Sequence, residues 1–217
     1  MTEMFDCSDA GQRTAGMASA ISALKGGRLV VLPTDTVYGI GADAFDGSAV
    51  AALLAAKGRG RDMPVPVLVG SWHTIDGLVY SVPDAARELI QAFWPGALSL
   101  VVRQAPSLQW DLGDAQGTVM LRMPLHPIAI ELLREVGPMA VSSANISGRP
   151  AAVTAADARE QLDDLVEVYL EGGPSAQQAA STIVDLTGPQ PQVLRQGPVT
   201  AAAIADVLGV EAETLLV

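Results

Sequence analysis

The sequence is poor in the residues that build metal sites and disulfides. It has a single cysteine, Cys7, and two histidines, His73 and His126. One cysteine excludes a disulfide within the chain and a structural zinc site made of cysteines. Two histidines give little for a histidine-based site. We therefore assign no metal ligand to a protein side chain.

Long apolar runs are also missing, and none approaches the 18 residues that a membrane-spanning helix needs. The first residues are acidic and contain no apolar segment typical of a secretion signal. Hydrophobic residues make up 49% of the chain, charged residues 17% and aromatic residues only 4%. This composition is typical of a globular protein. We expect a cytoplasmic protein with no membrane partner.

Positive charge is scarce, with 13 Lys+Arg against 24 Asp+Glu and a net charge of -11. Binding along a nucleic acid duplex requires a basic face, so this balance argues against a broad duplex-binding surface. It leaves room for a local basic pocket. Only Lys25 and Lys57 are lysines, and the arginine excess either serves bidentate anion contacts or reflects genomic base composition.

Strand and helix patterns alternate along most of the chain, which predicts an α/β fold. Closely spaced strands in the last third indicate a mixed sheet. A chain of 217 residues favours one core. Helices are predicted over residues 48–57, with Ser48 as the N-cap, over 127–136 and, as the final helix, over 200–208. A strand is predicted over residues 139–143, and residues 209–217 are expected to form a short, loosely held C-terminal tail.

The stretch from Leu29 to Gly41 contains a predicted strand that ends at Pro33 and is followed by Thr34, Asp35 and Thr36. Small polar groups at the carboxyl end of a strand are where α/β sheets bind ligands. The Gly39-Ile40-Gly41 segment fits a dinucleotide motif weakly, and a closely packed turn is the preferred interpretation. Proline at position 66 predicts an edge strand, or one beginning beside a bulge, over residues 65–69.

Two further segments offer groups that bind anions. The loop from Lys57 to Arg61 carries three cations between glycines, which suits phosphate or carboxylate but equally fits a solvated turn. Hydroxyl and amide groups follow a predicted strand between Ser142 and Gly148, where a structural turn is an equal alternative.

Taken together and in order, six segments resemble the motifs of the YrdC/Sua5 family. The resemblance extends from about residue 14 to residue 208. The segments are Pro33–Gly39, Lys57-x-Arg59, Arg122–Pro124, Ser142–Gly148, Ser181–Asp185 and Leu194-Arg195-x-Gly197.

The resemblance implies a single domain over residues 1–208, with a mixed α/β sheet flanked by helices around a concave, positively charged cavity, and no additional Sua5 domain. It implies L-threonylcarbamoyladenylate synthase activity, a nucleotidyl transfer from ATP. L-Threonine, bicarbonate and ATP, with Mg2+, would give threonylcarbamoyl-AMP and pyrophosphate. The product would pass to a downstream tRNA threonylcarbamoyl transferase complex for N6-threonylcarbamoyladenosine at position 37 of tRNA, with at most a weak direct tRNA contact.

The resemblance also implies residue roles. Lys57 and Arg59 would be catalytic, holding the ATP phosphates and the carbamate. The other expected ATP ligands are Thr118, Asn145 and Arg195, and the expected threonine ligands are Thr36, Arg122, Ser143 and Ser181. Arg122 would pair bidentately with the threonine carboxylate. The segment Met63-Pro64-Val65 departs from the family pattern.

Two alternatives remain open at this point. The same cavity could hold tRNA or double-stranded RNA without chemistry, although the net charge of -11 argues against this as the main role. A relative in carbamoyl transfer or hydrogenase maturation is a third possibility. Such proteins carry acylphosphatase-like and zinc-binding segments, which this sequence does not contain.

Overall fold

The computed structural model describes residues 2–216; Met1 and Val217, the outer ends of the expected domain and tail, lie outside it. Ten strands form one sheet. They are β1 (Glu3–Asp6), β2 (Val30–Leu32), β3 (Gly39–Asp43), β4 (Val67–Leu68), β5 (Leu98–Arg103), β6 (Thr118–Arg122), β7 (Met139–Ser143), β8 (Val168–Glu171), β9 (Thr182–Asp185) and β10 (Gln192–Arg195). The α-helices are α1 (Ala10–Lys25), α2 (Gly47–Ala56), α3 (Asp84–Phe93), α4 (Pro127–Val136), α5 (Ala155–Leu162) and α6 (Ala201–Leu208).

The sheet is mixed, as the sequence predicts. Its strand order is β1-β8-β2-β3-β7-β4-β6-β5-β9-β10. Four pairings are parallel, namely β1 with β8, β8 with β2, β4 with β6, and β5 with β9, and the other five are antiparallel. No helix among residues 2–216 has both the length and the apolar character to cross a membrane.

Alternating side chains divide the sheet into two faces with separate apolar clusters. On one face, Ile40 and Leu121 belong to the cluster packed by α2, α3, α5 and α6. On the other, Leu32 and Val141 belong to the cluster packed by α1 and α4. The contacts of α1 with the sheet are to β1, β8, β2 and β3. Leu68 of β4 also belongs to this second cluster, whereas within residues 2–216 no residue of β6, β5, β9 or β10 does. The second face is therefore covered from β1 as far as β4 in the sheet order, and its other half is accessible.

The prediction of an edge strand around Pro66 is wrong. Strand β4 lies inside the sheet, between β6 and β7. It has only two residues, and Pro66 immediately precedes them, so the ladder does not need the N–H that proline lacks. The carbonyl of Pro66 still takes part, because it accepts a hydrogen bond from the N–H of Val141 at 2.9 Å.

The glycines after the opening strand lie in β3 and not in a turn. Close packing was nevertheless a correct expectation for them. A Cβ on Gly39 would lie 2.6 Å from Cγ1 of Val141 in the neighbouring strand β7. Only glycine allows the two strands to approach with this side-chain arrangement.

Within residues 2–216, both terminal segments carry secondary structure, and the C-terminal one is more ordered than the sequence predicts. Residues 3–6 form strand β1, which pairs in parallel with β8. Residues Ala212–Leu215 form a short 3-10 helix, and Leu215 is buried in the larger apolar cluster. The segment after α6 is therefore packed on the domain, in contrast to the loosely held tail expected from its sequence.

Candidate active site

A cavity of about 200 Å³ lies on the accessible half of the sheet. Its floor comes from strands β4, β6, β5 and β9, where Arg122 pairs with Leu68 across one strand boundary and Ser99 with Ile183 across another. The structure brings six of the nine predicted site residues to its lining: Thr36, Arg59, Arg122, Ser143, Ser181 and Arg195. Lys57, Thr118 and Asn145 are not part of the lining.

Arg122, at the end of β6, is 6% exposed and held by three protein groups. Its Nε donates to the carbonyl of Gly96 at 2.8 Å, and one terminal nitrogen donates to Oγ1 of Thr36 at 2.8 Å. The other terminal nitrogen forms an ion pair with Asp35. A guanidinium has five N–H groups, so two remain for a ligand. Burial lowers the pKa of Arg122, against the opposing effect of Asp35.

The polar segment after Pro33 is folded so that Thr36 faces Arg122. Oγ1 of Thr34 donates to the carbonyl of Val37 at 2.6 Å and accepts from the N–H of Thr36 at 3.2 Å. The two threonine hydroxyls are 3.0 Å apart. Because Thr34 donates to the backbone, the Thr36 hydroxyl donates to Thr34 and keeps one lone pair for a ligand.

A second arginine and two serines form a connected group on the other side of the cavity. Arg195 donates from Nε to the carbonyl of Ser181 at 2.9 Å, and from a terminal nitrogen to Oγ of Ser181 at 3.2 Å. Oγ of Ser181 lies 2.8 Å from Oγ of Ser99. Burial lowers the pKa of Arg195. These bonds fix the Ser181 hydroxyl at the cavity wall.

Arg59 differs from the other two arginines because it lies in the loop after α2 and is only half-buried. Its Nε is buried and has no hydrogen-bond partner within residues 2–216. Its guanidinium also forms no ion pair in the described part of the chain. Arg59 is thus the cation of the cavity whose donors are available to a bound anion.

The charged side chains that line the cavity all have one sign; Asp35, which pairs with Arg122, is not among the lining residues. Three arginines line the cavity, and no aspartate or glutamate is among the lining residues. Arginine stays protonated at all ordinary pH values, even where burial lowers its pKa. The cavity is therefore suited to a ligand with several negative groups.

Lys57 lies under this wall and is completely buried. Its Nζ donates to the carbonyls of Ser143 and Asn145, the latter at 2.7 Å, and to Oδ1 of Asn145 at 3.1 Å. Burial, followed by the positive charge of Arg59, lowers its pKa to about 8. The ammonium therefore points into the protein. The expected contact between Lys57 and the ATP phosphates stays a prediction.

The other two predicted ligands also have protein partners. Asn145 donates from Nδ2 to the carbonyls of Ile146 and Arg149, at 3.0 and 2.7 Å. Oγ1 of Thr118 donates to the carbonyl of Ala115 at 2.7 Å. By strand alternation Thr118 shares a face of β6 with Met120 and Arg122, so it lies just beyond the cavity, along the same surface.

The residues do not fit a protein-held Mg2+ site. Magnesium prefers carboxylate and other oxygen ligands, whereas the cavity is lined by arginines without a carboxylate. Within residues 2–216 there is no group of three or more histidine, cysteine, aspartate or glutamate side chains that could hold a metal ion.

Sequence reasoning marked the segment containing Thr34 and Asp35 as a place for a ligand but gave these two residues no role, and it missed Ser99 altogether. Asp35 positions Arg122 and binds the N–H of Leu125 at 2.9 Å. The signal for Ser99 was a single hydroxyl in the apolar strand Leu98–Val102. Polar residues inside a buried strand require a partner, and here the partner is Ser181.

The comparisons with known proteins agree with this architecture. A family model described as Sua5_yciO_yrdC, Telomere recombination, matches residues 22–197. A protein of Mycobacterium tuberculosis (strain ATCC 25618 / H37Rv) named "Putative threonylcarbamoyl-AMP synthase" is 77% identical over 215 residues, covering 99% of both chains. The "Threonylcarbamoyl-AMP synthase" of Pyrococcus abyssi is 36% identical over 191 residues, which are 88% of this chain and 56% of that protein.

Two solved structures have the same fold. P. abyssi Sua5 complexed with L-threonine superimposes with a TM-score of 0.88 at 33% identity and covers 96% of this chain. The match covers 61% of the P. abyssi chain, so this protein spans less than two thirds of that relative. Escherichia coli YciO has a TM-score of 0.80 at 22% identity, with 91% of this chain and 97% of that chain covered.

Proposed function

The chain belongs to the Sua5/YciO/YrdC family, and from this premise we propose that it is an L-threonylcarbamoyl-AMP synthase. The reaction consumes L-threonine, bicarbonate and ATP. The observation that carries the proposal is the convergence of Arg59, Arg122 and Arg195 on a cavity without an acidic lining residue. Support for this particular activity comes from the 77% identity, over 99% of both chains, to a protein with that name.

The proposed chemistry is a nucleotidyl transfer. The threonine amine adds to bicarbonate with loss of water to give a carbamate. A carbamate oxygen then bonds to the α-phosphorus of ATP while the bond to pyrophosphate breaks. Bicarbonate, ATP and the carbamate are all anions, threonine brings a carboxylate, and no protein nucleophile is needed. Catalysis then depends on holding the reactants together and stabilising the charge that develops at phosphorus.

We assign a role to each arginine from the N–H donors that it has left for a ligand. Arg122 directs its two remaining N–H groups to the threonine carboxylate, next to the hydroxyls of Thr36 and Ser181. Arg59 has unpartnered donors within residues 2–216 and binds the carbamate and phosphate oxygens. Ser143 belongs to the threonine pocket, with Thr36 and Ser181. Arg195 contacts the nucleotide, and Thr118 suits its outer end because it continues the same sheet surface. Any Mg2+ is the ion that accompanies the triphosphate.

The product of this reaction determines the kind of partner. A carbamoyl phosphate anhydride hydrolyses readily, so a transferase that uses it on tRNA must receive it promptly. We propose that the downstream partner is a tRNA threonylcarbamoyl transferase complex. We propose no membrane partner. The alternative of an RNA-binding module has less support, because the arginines that carry the site converge within a cavity instead of forming a stripe along the surface.

The test is release of pyrophosphate from ATP by the purified protein, with detection of threonylcarbamoyl-AMP by mass spectrometry. Product formation should require threonine and bicarbonate together. Omission of either one is the matched control. Absence of product under these conditions, or salt-sensitive RNA binding by a protein inert toward ATP, would overturn the proposal.

A further inference from the structure

The Ser142–Gly148 segment contains the cavity residue Ser143 and is joined to the end of α2 through Lys57. The Lys57 side chain reaches the end of strand β7, where its Nζ bonds Ser143 and Asn145. Its main-chain carbonyl accepts a hydrogen bond from the N–H of Ser147 at 2.9 Å. One residue therefore binds this segment at both of its ends.

The donors of Lys57 are fully used by these contacts. An ammonium has three N–H groups, and four oxygens lie around it: the carbonyls of Ser143 and Asn145, Oδ1 of Asn145, and Oγ of Ser143 at the longer distance of 3.4 Å. The side chain is 0% exposed. Contact with a phosphate would require the ammonium to leave three hydrogen bonds and the segment to open. In the observed arrangement no donor remains for a ligand.

A buried charge without a carboxylate partner is costly, and Lys57 forms no ion pair within residues 2–216. Apolar residues of similar size would fill the space at lower cost. What an apolar side chain does not supply is three directed bonds to neighbouring backbone groups. The contribution of Lys57 is therefore to fix the positions of these neighbouring groups.

We infer that Lys57 is a positioning residue, which holds the Ser143–Asn145 segment so that Ser143 faces the cavity, and that it acts on the substrates through this segment. The inference rests on the proposed function for the identity of those substrates. It gives the two cations of the Lys57-x-Arg59 motif different roles. Arg59 contacts the ligand, and Lys57 holds the Ser143–Asn145 segment in the cavity wall.

The experiment compares Lys57→Met with Lys25→Met, because these are the chain's two lysines and Lys25 is exposed at the end of α1. Binding of L-threonine alone and of a non-hydrolysable ATP analogue alone is measured by calorimetry. Hydrogen exchange of residues 143–149 is measured without any substrate. For Lys57→Met we expect at least ~10-fold weaker threonine binding, the scale of a lost charged hydrogen bond, and faster exchange in the segment. Lys25→Met should match the wild type in both.

The competing roles give different results. If Lys57 were a phosphate ligand, Lys57→Met would weaken binding of the ATP analogue alone, with unchanged threonine affinity and exchange. If it were needed only for folding, the variant would melt earlier but bind threonine normally. Either result overturns the inference. If Lys57→Met does not fold, Lys57→Gln is measured in its place, since its amide retains two N–H donors. Failure of wild-type pyrophosphate release would refute the proposed function, whereas the exchange comparison would still decide the role of Lys57.

Discussion

Arg122 and Arg59, two of the three arginines that line the cavity, are held in very different ways. Arg122 extends from a sheet strand, is buried, and is fixed by Gly96, Thr36 and Asp35. Arg59 extends from a loop between glycines, and its buried Nε has no partner in the described chain. The sheet side is organised before a ligand arrives, whereas the loop side has its donors free. We conclude that the sheet side sets where the ligand lies and that the loop side supplies new bonds to it.

The largest expected effect comes from breaking the sheet side with Arg122→Met. This change leaves the buried carboxylate of Asp35 without its ion pair, so the free energy of unfolding should fall by about 3–5 kcal/mol. Urea denaturation measures the loss. The double variant Arg122→Met/Asp35→Asn removes both charges and should regain most of the stability without regaining threonine binding. A single variant as stable as the wild type would show that the pair is not an element of the fold.

On the loop side, Arg59→Ala should reduce turnover and leave the free energy of unfolding nearly unchanged. We expect turnover to fall by ~100-fold, the scale of removing one charge-stabilising donor. The free energy of unfolding should stay within about 0.5 kcal/mol of the wild type, because the side chain has no hydrogen-bond or ion-pair partner within residues 2–216 to lose. Pyrophosphate release and urea denaturation test the two halves of this prediction.

Arg61→Ala is the matched control for Arg59→Ala, since Arg61 lies in the same loop and forms an exposed ion pair with Asp111. Exposed pairs contribute little to stability, so the fold should not suffer from its loss. Arg61 is not among the lining residues of the cavity, so turnover should change only a few-fold. Near-normal turnover in Arg59→Ala would remove Arg59 from the mechanism. Equal losses in both variants would mean that loop conformation, and not the Arg59 charge, is what the site requires.

The smallest expected effects are the stability losses on replacing one glycine of the sheet side, Gly39, and one of the loop side, Gly58. Gly39→Ala places a Cβ 2.6 Å from Cγ1 of Val141, and moving two packed strands should cost about 1–3 kcal/mol. Gly58→Ala has open space around it but a φ of +60°, so its cost is backbone strain of about 1 kcal/mol. Thermal unfolding compares the two. A smaller loss for Gly39→Ala than for Gly58→Ala would contradict the rigid packing inferred for the sheet side.

Much of the fold could be predicted from the sequence because its signals are local. The helix over Pro127–Val136 and the strand Met139–Ser143 are set by periodicity, and the structure confirms them. The N-cap of α2 lies two residues earlier than the sequence predicts. Asp46, not Ser48, is its cap, because the Asp46 carboxylate accepts the N–H groups of Ser48 and Ala49. Both residues are good caps, and the sequence alone does not distinguish them.

Non-local partners explain the parts that could not be predicted. Strand β1 is recognisable only through its pairing with β8, more than 160 residues away in sequence. Pro66 indicated an edge because the sequence does not reveal that a two-residue strand follows it. For the site, residue types indicated which side chains matter, and six of nine line the cavity. Whether a cation faces the ligand or the protein depends on acceptors elsewhere, which is why Lys57 and Arg59 could not be separated.

The unpartnered guanidinium of Arg59 links occupancy of the cavity to the survival of the folded chain. An anion that binds there satisfies donors that the empty protein leaves unmet, and it binds the folded state only. By mass action, ligand at 100 times its Kd adds about 2.7 kcal/mol to the free energy of unfolding. Marginally stable proteins are degraded through their unfolded fraction. The amount of this protein in the cell should therefore rise and fall with the supply of its own substrates.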